Sequence, residues 1–238
     1  MLSAIAVIPS APVMVPDLAS GAAPECDDLR AAVLQAAGEL PDRWVAIGVA
    51  AADEVIPAGS VGTFAGYGVD VPVALGPDAT ATVRQLPLCA LVTGWVRGQA
   101  NPGARAEVRA YAADHDASEA LASGRALRAE IDGQGQPVGV LVVADGSNTL
   151  IPSAPGGHDP ASVPVQRALD DALAAGDVAA LSGLGRGIVG AVAFAALAGL
   201  ADGGSWSARE YYRGAPYGVG YFAGVWLPAD RAVGPTRP

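Results

Sequence analysis

The chain has 238 residues, enough for one large α/β domain or two small ones. It is 51% hydrophobic with only 5% aromatic residues, so Ala, Val and Leu must build the core. The formal charge of -10 is spread along the chain, which argues against a nucleic-acid or anionic-membrane surface, because such binding rests on clustered Lys and Arg.

The first ten residues, MLSAIAVIPS, carry no positive charge, and Pro9 cuts the apolar run short. A first strand over residues 3–8 is expected rather than a signal peptide. Pro9-Ser10-Ala11-Pro12 turns out of it, and residues 13–16 read as an extended apolar piece. Residues 24–40 form a predicted helix, with Leu29, Val33, Ala36 and Leu40 at helical spacing and Pro41 to end it. Residues 44–49 are a buried strand. Residues 51–78 are rich in Gly and Pro and read as loop, with one short edge strand at 69–74.

Residues 86–97 are a helix, 106–112 a strand, and 118–131 an amphipathic helix that Asp116 or Ser118 caps. Residues 138–143 are a continuous β-branched and aliphatic run, the pattern of a strand buried on both faces. A helix over 161–175 follows, stopped by Gly176, then helical segments at 178–184 and 188–201. The second of these is the longest apolar stretch, yet it is too short to cross a bilayer. A β segment begins at Tyr211, and residues 217–227 form a final strand with alternating glycines that admit another backbone. Residues 228–238 are expected to be a disordered tail. Strands alternating with helices imply α/β: a single three-layer α/β/α domain over residues 1–227 with a mostly parallel central sheet. A cytoplasmic location, with no nucleic-acid or membrane partner, is the matching expectation.

Cys26 and Cys89 have no CxxC or Cys/His spacing, so a structural zinc site is excluded and two buried reduced thiols are expected. Gly185-Arg186-Gly187-Ile188-Val189-Gly190 matches GxGxxG, but helix rather than strand precedes it, so it reads as a helix–helix turn. His115 and His158 lie in different loops, and no Ser/His/Asp triad follows from spacing.

The chain is organised around residues 137–159. The buried strand runs into the polar turn Asp145-Gly146-Ser147-Asn148, and ligands of open α/β sheets bind at the carboxyl ends of such strands. Asp, Gly, Ser and Asn are also ordinary turn residues, so a purely structural role is the competing reading.

Three segments resemble a known family. Ile8-Pro9-Ser10-Ala11-Pro12-Val13-Met14-Val15-Pro16 is similar to the first strand and His-Pro-Pro-hydrophobic segment of class III extradiol ring-cleavage dioxygenases of the LigB type and of the Memo-like proteins. Val142-Val143-Ala144-Asp145-Gly146-Ser147-Asn148 resembles that family's strand running into Gly/Asp-x-Ser-His. Ala215-Pro216-Tyr217-Gly218-Val219-Gly220-Tyr221-Phe222 resembles the closing segment of an actinobacterial LigB-like branch. The resemblance implies an α/β/α sandwich with Fe(II) held by two histidines and a glutamate, open to catechol and O₂, with a further histidine as acid/base.

The chain departs from that pattern. Ser10 stands at the first ligand histidine, Ala51-Ala52-Asp53 where the next is expected, and Asn148 at the histidine of the Ser-His pair; neither His115 nor His158 falls on a family position. The expectation is therefore a LigB-like protein without the iron site, with no catalytic or metal-ligating residues and no cofactor. Its cleft of Ser10, Asp53, Asp145, Ser147, Asn148, His158 and Tyr217 would bind a small ligand. Two other readings stand beside it. One is a metal-dependent dioxygenase or hydrolase built from His158, Asp145, Asp53 and Glu54. The other is a structural or assembly role, with the Gly-rich final strand at a homo-oligomer contact.

Overall fold

The computed structural model describes residues 1–19, 26–184 and 187–229. Its main sheet has seven strands in the order β3-β6-β2-β7-β1-β9-β8. Four adjacent strands at its centre are β6 (Arg105–Ala112), β2 (Arg43–Ala50), β7 (Val138–Val143) and β1 (Leu2–Ile8). They run parallel to one another. β3 (Glu54–Ile56) pairs antiparallel with β6 at one edge; at the other, β9 (Tyr221–Pro228) pairs antiparallel with β1, and β8 (Trp206–Gly214) with β9. The fold is α/β, with a parallel centre and antiparallel edges.

Every residue of β1 and of β7 is buried, as a strand covered on both faces requires. Side chains on successive strand residues point to opposite faces, and the core divides accordingly. Ala4, Ala6 and Ile8 join Leu141, Val143, Trp44 and Ala46 in one cluster, together with Leu29 and Val33 of helix α2 (Asp27–Gly38) and Leu91 and Val92 of helix α3 (Leu88–Ala100). Ile5, Val7, Val45, Ile47, Val140 and Val142 form the other. There they meet Leu127 and Ile131 of α4 (Ala117–Gly133), Leu169 and Leu173 of α5 (Ser162–Ala175) and Leu197 and Leu200 of α7 (Ala191–Ala201). Two fully buried tryptophans have satisfied ring N–H groups: Trp44 donates to Pro41 O (2.5 Å) and Trp226 to Leu173 O (2.7 Å).

Several local readings change. Residues 13–16 are not extended: Pro12–Met14 is a 3-10 turn leading into the short helix α1 (Pro16–Ala19). Proline supplies the helical φ at the start of both pieces, which an apolar pattern alone does not reveal. The region read as loop over 51–78 holds β3 and a hairpin of β4 (Val61–Thr63) and β5 (Pro72–Ala74). Strands of three residues are too short to show a period of two. The helical segment at 178–184 shortens to α6 (Val178–Leu181). The start of the predicted 24–40 helix, the first two residues of the GxGxxG match and the tail at 230–238 lie outside the described residues.

Other local signals hold. Asp116 caps α4 with a capping box, accepting from the Ser118 and Glu119 N–H groups while Glu119 accepts from Asp116 N–H. Gly176 ends α5 in the left-handed region at φ 68°. Cys26 and Cys89 are buried thiols not joined in a disulfide, and burial pushes the Cys89 thiol up to about 12, which disfavours its thiolate. The Gly-rich final strand lies inside the sheet, where a Cβ at Gly224 would come within 2.7 Å of Arg209 O. The backbone it admits is β8 of the same chain. Among the described residues, no helix is long and apolar enough to cross a membrane.

Helices α4 and α7 touch backbone to backbone through two glycines. A Cβ at Gly124 would lie 2.0 Å from Ala196 O, and one at Gly199 would lie 2.1 Å from Leu121 O. Alanine in a helix interior gains up to about 1 kcal/mol over glycine. Overpacking against unyielding backbone costs about 1–3 kcal/mol. The steric effect wins here, so Gly199→Ala is expected to lower stability by about 1–2 kcal/mol in urea denaturation, against the helix-propensity trend.

Candidate functional site

The parallel register sets the site. Ile8 of β1 and Gly48 of β2 are both level with Val143 of β7, so these strands emerge at one edge of the sheet. A cleft of about 420 Å³ opens there, bordered by Ser10, Ala51, Leu88, Ala113, Asp145 and Gly190 among others. Among the described residues, Asp145 is the only ionisable one that lines it. The position is the one that open α/β sheets use for ligands.

Asp145 follows β7 directly. Its Oδ1 accepts a hydrogen bond from Ser10 N–H (2.8 Å), which ties the end of β7 to the turn after β1. Burial in apolar surroundings raises its pKa to about 6, and the Ser10 hydrogen bond only partly opposes this. The residue is nonetheless only partly covered from solvent, the exposed part facing the cleft. Gly190, the last glycine of the GxGxxG match, closes the cleft from above α7. Its N–H donates to Asp145 O (2.9 Å), and a Cβ there would lie 2.6 Å from Ala144 Cβ. That glycine permits close packing of a helix start on a strand end and holds no phosphate-binding loop after a strand.

The polar residues read from sequence separate into three groups. Ser10 and Asp145 come together in the cleft. Asp53 lies at its rim, two residues past Ala51, and is engaged on both oxygens: Oδ1 accepts from Ala112 N–H (2.7 Å) and Oδ2 lies 3.1 Å from His115 Nε2. This carboxylate cross-links the turns after β2 and β6. Ser147, Asn148, His158 and Tyr217 do not line the cleft. Ser147 is fully buried, its Oγ 2.9 Å from Thr149 Oγ1. Asn148 accepts Gly156 N–H on its backbone oxygen, His158 is exposed in the loop before α5, and Tyr217 is half-buried in the β8–β9 turn. Those four serve or occupy loop structure rather than converge on one pocket.

Gln166 of α5 is the residue that sequence reading missed. It is buried between the turn after β7 and the turn before β9. Its Oε1 accepts Ser147 N–H (2.7 Å) and its Nε2 donates to Asp170 Oδ1 (2.8 Å). A Cβ at Gly146 or Gly220 would lie within about 2.2 Å of its amide. Gly146 N–H also donates to Gly220 O (2.8 Å), and Gly220 N–H to Ser147 O (2.8 Å). The glycines at 146 and 220 were the available signal: both leave room for one long amide side chain. Tyr221, also not singled out from sequence, is buried; burial chiefly, and then the Asp145 charge, raise its hydroxyl pKa.

The Fe(II) that the family resemblance implies does not fit these residues. The cleft offers one carboxylate and no imidazole, and among the described residues no group of three or more His, Cys, Asp or Glu side chains could hold a metal ion. The set His158, Asp145, Asp53 and Glu54 is likewise not gathered: Glu54 pairs with Arg84 at 2.8 Å, and Asp53 faces His115. A larger cavity of about 520 Å³ lies at the opposite strand ends, lined by Arg105, Arg109, Glu107 and Glu130 among others. Arg105 pairs with Asp78, and Arg109 with Glu107 and Glu130, as on a solvated surface.

The raised pKa of Asp145 has a stability consequence. The folded state binds its proton more tightly than the unfolded chain does, so stability falls as pH rises from about 4 to about 6. Each pKa unit corresponds to about 1.4 kcal/mol. Asp145→Asn keeps an acceptor for Ser10 N–H without the charge. It is expected to be about 1–3 kcal/mol more stable than the parent at pH 7.5, with the gain vanishing at pH 4. Thermal unfolding across that range checks both the sign and the window.

Compared with known proteins, the chain matches no family model and no curated protein. It is similar in fold to the crystal structure of an uncharacterised protein from Escherichia coli K12, with 12% identity, a TM-score of 0.60, and coverage of 94% of this chain and 99% of that one. At that identity the likeness is one of fold.

Proposed function

We propose that the chain is a LigB-like α/β/α protein that has lost the Fe(II) site and ring-cleavage activity, and binds a small organic ligand in the cleft at the ends of β1, β2 and β7. The two core clusters on the two faces of the sheet support the sandwich. The observation that carries the binding reading is Asp145: among the described residues, a carboxylate held in a cleft of otherwise uncharged lining, with a single hydrogen bond from Ser10 N–H. A carboxylate accepts up to about four hydrogen bonds, so this one has unused capacity toward the cleft. Keeping it there opposes folding, as its raised pKa records. Groups of that kind concentrate at functional sites. The ligand it suits presents a hydrogen-bond donor to Asp145 and an apolar surface to Leu88, Val49 and Val189.

Two experiments test this. Protein loaded anaerobically with Fe(II) and protocatechuate and then exposed to O₂ is expected to form no yellow ring-opened product above a free-iron control. Ring cleavage at any higher rate would overturn the loss of activity. In a thermal-shift panel of small amines and alcohols, a ligand at a hundred times its Kd should stabilise the parent by about 2.7 kcal/mol. Asp145→Ala should abolish that shift; a shift that survives the substitution places binding elsewhere.

A further inference from the structure

The cleft has an apolar neighbour. A second cavity of about 510 Å³ is lined by Tyr67, Val83, Leu86, Pro87, Leu88 and Leu91, among others. Leu88, the first residue of α3, borders both cavities. Large apolar side chains stand unusually open around the pair: Val83 is 52% exposed and Tyr67 47% at the groove, and Val189 is 51% exposed at the cleft. Among the described residues the one cation lining the groove is Arg84, which Glu54 holds at 2.8 Å. At the other end Asp145 is the only charged group among the described residues that line the cleft. The nearest helix-start N–H groups do not compete for its ligand, since Val189 N–H donates to Gly146 O (3.0 Å) and Gly190 N–H to Asp145 O (2.9 Å).

From this juxtaposition, and resting on the cleft reading above, we propose that the ligand is a primary alkylamine. Its ammonium sits on Asp145, and its carbon arm runs over Leu88 into the groove between Tyr67 and Val83. Ammonium is favoured over hydroxyl for two reasons. A carboxylate in an apolar cleft gains most from a full opposite charge. The net charge of -10 also draws cations toward the protein and repels carboxylates. The arm is required because the groove removes carbon from water, at a gain that corresponds to about threefold to fourfold in affinity per methylene.

The test is isothermal titration of the full chain at pH 7.5 with ethylammonium, n-butylammonium and n-hexylammonium chloride, and with 1-hexanol as the uncharged control. Hexylammonium should bind at least tenfold more tightly than ethylammonium and at least tenfold more tightly than hexanol. Asp145→Asn should weaken every amine. Val83→Asp, at an exposed position, should shrink the hexyl-to-ethyl ratio to near one. Equal affinities for ethyl- and hexylammonium, both lowered by Asp145→Asn, would overturn the arm while leaving the cleft reading intact. Hexanol binding as tightly as hexylammonium would overturn the ammonium. No binding of any amine would overturn both this inference and its assignment of charge to the cleft.

Discussion

Parallel pairing of β1, β7 and β2 is the constraint on which the rest depends. Because Ile8 and Gly48 both sit level with Val143, three chain turns leave the sheet at one edge and face one another. The register is held by apolar residues on both faces, and a slip by one residue would exchange the two core clusters and expose much of each. The same register brings Ser10 N–H within 2.8 Å of the Asp145 carboxylate. That hydrogen bond joins residues 135 apart in sequence, just past the ends of the β1–β7 ladder.

In its proposed role, Asp145 sets stability against recognition. Its surroundings disfavour the charge, so it weakens the fold at neutral pH. A residue chosen for packing alone at that position would be apolar or amide. The supporting residues point the same way. Gln166, clasped by Gly146 and Gly220, fixes the turn directly after Asp145, and Gly190 packs the start of α7 against it. The turn that carries the carboxylate is therefore braced by hydrogen bonds and close backbone packing, which would lower the ordering cost of the proposed recognition.

Iron does not fit the cleft on chemical grounds. Among the described residues imidazole is missing from the lining, and one carboxylate cannot supply a facial set of metal ligands. His115 Nε2 faces Asp53, and its Nδ1 is buried without a hydrogen-bond partner among the described residues. The cleft holds one charge in an apolar setting, and the proposed binding by charge and carbon rests on that feature.

The alternation of apolar runs and helical periods by itself determined the class of fold, because burial on two faces writes itself into residues 138–143 and into helices such as α4, whose cap at Asp116 is local chemistry. The end of residues 138–143 pointed to Asp145 together with Ser147 and Asn148, while Ser10 was singled out by its place in the family-like segment after the first strand. Only the tertiary structure decided which polar residues share a pocket. Ser147 and Asn148 lie within three residues of Asp145, yet they do not line the cleft, because a turn directs successive side chains to different sides. Gln166 looked like one more helix residue until Gly146 and Gly220 were seen to close on it. The antiparallel edges were equally hidden: β3 has three residues, and the direction of β8 and β9 depends on which neighbour completes their hydrogen bonds. Periodicity records burial; it carries no information on direction or on contacts between distant loops, and those placed the site.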